Sequence, residues 1–196
     1  MQNKVGNIIK LHIKNMMCNC CINVVNNVLK DNGCEIVFIK LGYAEVKLTK
    51  NSPTIDGLDK ILQNKGFGLI INREKRIVEQ IKIAVIELIH QMNNVNSMVQ
   101  KSDYIVEKLN LSYQQLSKLF SKHENTTLEK FIILNKIERI KELIDEDEFT
   151  LSEIAYMMDY SSVQYLSGQF KKETGVTVSD YKKGGLNIRK PIEDLL

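Results

Sequence analysis

The stretch LSYQQLSKLFSKHENTTLEKF, residues 111–131, comes back fifty positions later as SSVQYLSGQFKKETGVTVSDY, residues 161–181. Leu116, Ser117, Phe120, Lys122, Thr127 and Phe131 meet Leu166, Ser167, Phe170, Lys172, Thr177 and Tyr181 at an offset of 50. Upstream, Ile105, Val106, Leu109, Leu111 and Ser112 meet Ile154, Ala155, Met158, Tyr160 and Ser161 at an offset of 49. The register therefore slips by one residue inside a turn. Self-similarity of this kind marks a duplicated supersecondary unit, here a short helix, a tight turn and a second helix.

Each second helix carries a start signal. Ser112 precedes Gln115 by three residues and Ser161 precedes Gln164 by three, the spacing of a capping box. The first of these helices hides Leu116, Leu119 and Phe120, and the second hides Leu166 and Phe170. Gln114, Gln115, Ser117 and Lys118 remain outside in one copy, and Val163, Gln164, Ser167 and Gly168 in the other. Amides and hydroxyls on a protruding face can hydrogen-bond base edges in the major groove. Lys122, Lys171, Lys172, Lys182 and Lys183 are candidates for phosphate contacts, which set register without reading sequence. Between the copies, LEKFIILNKIERIKELI, residues 128–144, has Phe131, Leu134, Ile137 or Ile140, and Ile144 at helical spacing. It predicts one long helix acting as a spacer, with the acidic residues between Glu142 and Glu148 as its solvated end. Two helix-turn-helix units on one rod suit successive major-groove turns, about 34 Å apart, so that a single chain does what a dimer usually does.

Residues 78–183 resemble the DNA-binding domain of the AraC-type transcriptional regulators, on LSYQQLSKLF, KIERIKELI and LSEIAYMMDYSSVQYLSGQFKKETGVTVSDYK. The resemblance implies helix-turn-helix units at about 101–124 and 151–174, double-stranded operator DNA as partner, and base contacts from Gln114, Ser117, Lys118, Val163, Gln164 and Gly168. Three residues depart from the family pattern. Gly168 stands where a long polar side chain is common, at a cost of about 1 kcal/mol of helix stability. Val178 replaces a proline, and Asp159 replaces a turn glycine, a position Asp tolerates because it visits the left-handed region.

The first 72 residues follow other periods. Ile9, Leu11 and Ile13 alternate with Lys10, His12 and Lys14 as in a half-buried strand, and Ile22, Val25, Val28 and Leu29 recur at helical spacing up to Asn32-Gly33. Strands follow at Glu35–Lys40 and Ala44–Leu48 around a turn at 41–43. A helix then has Pro53 in its first turn and carries Ile55, Leu58, Ile61 and Leu62. Phe67–Ile71 supplies a last strand. Strand, helix, strand, strand, helix, strand is the ferredoxin-like βαββαβ order. The predicted fold class is thus an α+β N-terminal domain followed by an all-α domain. Residues 73–94 join them as a helix with more apolar surface than one stripe, suited to packing against both domains or a second chain. Residues 184–196 form a tail.

In the first loop, NMMCNCC holds Cys18, Cys20 and Cys21. Cys18 and Cys21 at a helix N-terminus place two sulfurs where the dipole favours thiolate. Soft thiolates select Cu(I), zinc or iron–sulfur clusters. Zinc asks for four ligands and His12 belongs on the solvent face of its strand, so Cu(I) suits the pair best, with Cys20 as an auxiliary thiol. A redox dithiol, and cysteines without a metal, are the competing readings. Residues 7–71 resemble the heavy-metal-associated domains of copper chaperones and pumps, on Met16, Cys18, Cys21 and Gly66-Phe67, with Asn15 in place of the usual glycine. The resemblance implies that Met16 props the loop from inside and makes a copper chaperone a candidate partner, besides a second copy of the chain. Cys34 is expected to be a small core residue.

Composition sets limits. Hydrophobic residues make up 43% and charged residues 26% of 196, as in a core-forming chain. Residues 1–72 sum to +4 and the remainder to −1, so bulk charge does not announce a nucleic-acid binder. The sequence predicts no signal peptide or membrane span, hence a cytoplasmic location. It shows no paired acid and base, nucleophile triad or phosphate loop, hence no enzyme. A copper-trafficking protein with a docking domain and a thiol oxidoreductase are the other functions to weigh.

Overall fold

A computed structural model describes residues 7–91 and 101–184. The tail beyond Gly184 and positions 92–94 of the expected connecting helix lie outside the described residues. The chain divides into two units, one ending at Ile83 and the other starting at Ala84.

In the first unit the elements are β1 (Ile8–Lys14), α1 (Asn19–Asp31), β2 (Cys34–Lys40), β3 (Tyr43–Leu48), α2 (Ile55–Gln63) and β4 (Gly68–Leu69). They form one antiparallel sheet in the order β2-β3-β1-β4. The pleat sends Leu11, Ile13, Ala44, Val46 and Leu48 inward to meet Val25 and Leu29 of α1 and Leu58 and Leu62 of α2. Cys34 is buried with them. Two expected boundaries move. Pro53 lies outside α2, because Thr54 is the N-cap, its hydroxyl accepting from the Gly57 N–H. The last strand shrinks to two residues, and Asp59 Oδ1 takes the Leu69 N–H at 2.7 Å. Asn15 explains the departure from glycine: its φ is +66°, a region Asn tolerates better than other side chains. Its amide donates to the Gly66 carbonyl at 2.9 Å, and its backbone N–H to Glu79 Oε1 at 2.6 Å.

Helix α3 (Arg73–Gln91) contains the division between the units. Ile81 to Ile86 are buried without a break, Lys82 among them.

The second unit contains α4 (Lys101–Leu109), α5 (Tyr113–His123), α6 (Leu128–Glu146), α7 (Leu151–Met157), α8 (Val163–Thr174) and α9 (Val178–Gly184). The expected spacer is α6, two residues longer at its C-terminus than the sequence predicts and closed by Asp147 at φ +53°. Its buried stripe is wider and more polar than expected. Leu134 is only half-buried, while Asn135, Lys136, Glu138 and Lys141 are buried. The cause is that α6 packs against α5, α7 and α8, so flanking positions lose water and find partners. Asn135 donates to the Phe131 carbonyl at 2.8 Å, Lys136 Nζ to the Met158 carbonyl at 2.9 Å, and Lys141 Nζ to Glu138 Oε1 at 2.6 Å.

Asn15→Val should destabilise the first unit by about 1–2 kcal/mol through the left-handed backbone, while Asn15→Gly should lose less. Thermal melts of the two variants check this.

Candidate nucleic-acid interface and the thiol loop

The two helix pairs repeat in structure as in sequence. From 113 to 126 and from 163 to 176 the pattern of buried, half-buried and exposed residues is the same, position for position. Leu116, Phe120, Leu166 and Phe170 have no exposure, and Leu119 is half-buried. Each turn contains a left-handed residue, Asn110 at φ +51° and Asp159 at φ +54°, which confirms that Asp159 does the work of the missing glycine.

The caps differ. At α5 the Ser112 hydroxyl accepts from the Gln115 N–H and Gln115 Oε1 accepts from the Ser112 N–H at 3.0 Å, a complete capping box. At α8 the expected Ser161–Gln164 box does not form. Ser162 is the N-cap and accepts from the Tyr165 N–H at 3.1 Å. The one-residue slip between the copies falls before the cap, so Ser162 is the partner of Ser112, and Tyr165 has no group to reach back with. Gln164 is thereby left out of the cap.

Among the residues read as DNA contacts, Gln114, Lys118, Lys122, Gln164, Gly168, Lys171 and Lys172 are exposed. Val163 and Ser167 are half-buried. Gln115 is exposed, but its carbonyl oxygen is committed to the cap. Ser117 is half-buried and donates to Glu129 Oε1 at 3.4 Å, an oxygen that also receives the Tyr113 hydroxyl at 2.9 Å. Burial works to raise the Glu129 pKa, but hydrogen bonds from its own backbone, Tyr113, Thr127 and Ser117 outweigh it and hold the carboxyl below its ordinary value. Lys182, read as a phosphate contact, pairs with Asp147 at 2.5 Å. Sequence reasoning missed Lys130, whose ion pair with Glu173 ties α6 to α8. It also missed Lys136, which adds a position 5.1 Å from the Tyr160 ring centre to its bond with the turn.

In the first unit Cys18 is the N-cap of α1, in extended conformation, and Cys21 lies in the first turn. Their sulfurs are 3.3 Å apart. Met16 is fully buried beneath the loop, as the resemblance implied, while Cys18 and Cys20 are exposed. Burial acts to raise the Cys18 thiol pKa, but hydrogen bonds from the backbone and thiol groups of Cys21 and Cys20 bring it below its ordinary value. Burial pushes Cys21 the other way. Among the described residues, no group of three or more His, Cys, Asp or Glu side chains converges as a metal cage.

Ser162→Ala should cost about 1 kcal/mol of stability in the second unit, whereas Ser161→Ala should stay within about 0.5 kcal/mol. Denaturant titration of both variants separates the two serines.

Residues 105–184 match the family model described as a helix-turn-helix domain. Over 99 residues the chain is 28% identical to the xylose operon regulatory protein of Escherichia coli K12, a match covering 50% of this chain and 25% of that protein. The Msm operon regulatory protein of Streptococcus mutans is 28% identical over 109 residues, covering 56% of this chain and 37% of its own length. The match thus spans well under half the length of either relative. Among solved structures, the C-terminal domain of AraT, a response regulator from Geobacillus stearothermophilus, is similar with a TM-score of 0.46 at 23% identity, covering 57% of this chain and 88% of that one. Both curated relatives are named as operon regulatory proteins, and residues 105–184 of this chain are similar to a helix-turn-helix domain.

Proposed function

We propose that the chain is an AraC-type, sequence-specific regulator that lays α5 and α8 in adjacent major-groove turns of one DNA duplex. The observation that carries this is the duplicated exposure pattern of the two helices, with Gln114 and Gln164 on matching open positions. A helix whose core face is used up by Leu116 and Phe120, or by Leu166 and Phe170, has its polar face left for another molecule. Lys118 of α5 and Lys171 and Lys172 of α8 have no carboxylate partner among the described residues, so they are available to phosphates. Gln115 and Ser117 are engaged within the protein, which narrows the expected base contacts of α5 to Gln114 and Lys118. On α8 Gln164 stands almost alone, because Val163 offers a methyl contact and Gly168 no side chain.

The first unit, in this reading, is a ferredoxin-like heavy-metal-associated domain that makes the regulator responsive to a soft monovalent metal. Two sulfurs 3.3 Å apart on an exposed helix start, one of them with a lowered pKa, are a donor set suited to Cu(I), which is content with two thiolates. Cys18 and Cys21 would hold it, with Cys20 at hand. Held by these sulfurs, a cation would fix the loop that begins at Asn15. Through its backbone N–H, Asn15 is tied to Glu79 of α3, which supports that helix as the element that senses the loop. No helix among the described residues is long and apolar enough to cross a membrane.

Selection of bound sequences from a random duplex pool should return a preferred site. Gln164→Ala should relax preference at one position by about 1–3 kcal/mol, while Lys171→Ala should weaken all sequences alike and lower the salt slope by about one. Recovery of no preferred sequence would defeat the regulator reading. On that site, Cu(I) should change the affinity of the native chain and leave a Cys18→Ser, Cys21→Ser double variant unmoved. Equal affinity with and without the metal for both proteins would remove the sensing role and leave the DNA-binding role standing.

A further inference from the structure

The outer face of the β2-β3-β1-β4 sheet, turned away from α1 and α2, is used by none of the roles above. The strand registers arrange it in rows. Glu35, Lys47 and Ile8 form one row, Phe38, Glu45 and Lys10 the next, and Lys40, Tyr43 and His12 a third. Lys14 follows beside β4, its side chain lying across Gly68. Three rings on three adjacent strands therefore run across the sheet. The centroid of Tyr43 is 5.2 Å from that of His12 and 6.4 Å from that of Phe38.

Phe38 is not there by default. Ile36 faces the core, and strict alternation would turn Phe38 inward as well. A register shift between Ile36 and Phe38 inserts one extra residue and brings Phe38 out opposite Glu45, where it is 49% exposed. Bulges re-aim side chains in this way and commonly do so at functional surfaces. The charge around the rings has one dominant sign: Lys10, Lys14, Lys40 and Lys47 against Glu35 and Glu45. Glu45 is itself engaged, accepting from the Tyr43 hydroxyl at 2.5 Å with Lys10 Nζ 4.0 Å away. Lys40 Nζ stands 5.8 Å from the Tyr43 ring centre. Burial, then the positive charges of Arg76 and Lys10, hold His12 below its ordinary pKa, which favours the uncharged ring.

We infer that this face is a platform for single-stranded nucleic acid, with bases stacking along Phe38, Tyr43 and His12 and phosphates meeting the surrounding lysines. Flat rings on a four-stranded sheet recognise bases by their faces, which only an unpaired strand presents. A duplex keeps those faces inside its stack, which separates this surface from α5 and α8. A protein partner fits less well, since lysine is depleted in the cores of protein interfaces.

The test uses the full chain with labelled single-stranded RNA and DNA of mixed sequence, read by fluorescence anisotropy in the presence of excess unlabelled random duplex. Binding of either strand should survive the duplex. Phe38→Ala should weaken it about tenfold, and Lys47→Gln should flatten its dependence on salt, with duplex binding unchanged in both variants. Phe38→Leu, which keeps an apolar side chain without a ring, should lose affinity like Phe38→Ala, so that loss of stacking is separated from loss of fold. Complete displacement by the duplex, or single-strand affinity unchanged in Phe38→Ala and Lys47→Gln, would overturn the inference.

Discussion

One ring contact, made twice, holds the two matched helix pairs in place. Phe120 of α5 meets Phe131 of α6 at 5.2 Å between ring centres, and Phe170 of α8 meets Tyr181 of α9 at 5.6 Å. Each pair lies 50 residues from its counterpart and is buried. An aromatic pair adds about 0.5–1.5 kcal/mol beyond its area, and truncating a buried Phe costs about 3–5 kcal/mol. The larger effect is orientation. With the inner sides of α5 and α8 each pinned to the helix that follows, the polar side has only one direction left, and the exposure pattern of the two copies becomes the same.

The rod between the copies is held by groups that a hydrophobic count passes over. Lys136 reaches the Met158 carbonyl at the end of α7 and stands over Tyr160 in the turn, while Lys130 pairs with Glu173 on α8. An unsatisfied carbonyl at that place would cost about 1–3 kcal/mol, so Lys136 fixes the second turn to α6 as firmly as an apolar contact. Phe131 and Tyr181 then play different parts in otherwise matched positions. The tyrosine hydroxyl continues to Asp145 at 3.0 Å, joining the last helix to the end of the rod.

Much of this is legible in the sequence because the controlling signals are local. Alternation in β1, the Ser112 cap and the spacing of Leu116 and Phe120 depend on neighbours a few residues away, and they read correctly. Ser161 reads incorrectly for a physical reason: two adjacent serines can each cap, and only the length of the turn after Asp159 selects Ser162. Leu134 and Lys136 mislead in the same manner, since an apolar residue at the edge of a helix stripe and a lysine in its midst look alike until the neighbouring helices are in place. Phe38 depends on a bulge, which no period announces. The preference for Gln114 over Gln115 rests on a carbonyl oxygen committed to the cap, which the spacing of Ser112 and Gln115 announces.

Gly168 sits in the middle of α8, and a Cβ built there meets no atom within 4 Å. This glycine borders open space on the outward side. The fold therefore exerts no veto over what occupies the position. On the proposed reading, the sequence preference of that half of the site drifts by a single codon, from no side chain to an amide or a guanidinium, while the core beneath, built from Leu166 and Phe170, continues unaltered. A surface arranged in this way can be retargeted without being redesigned.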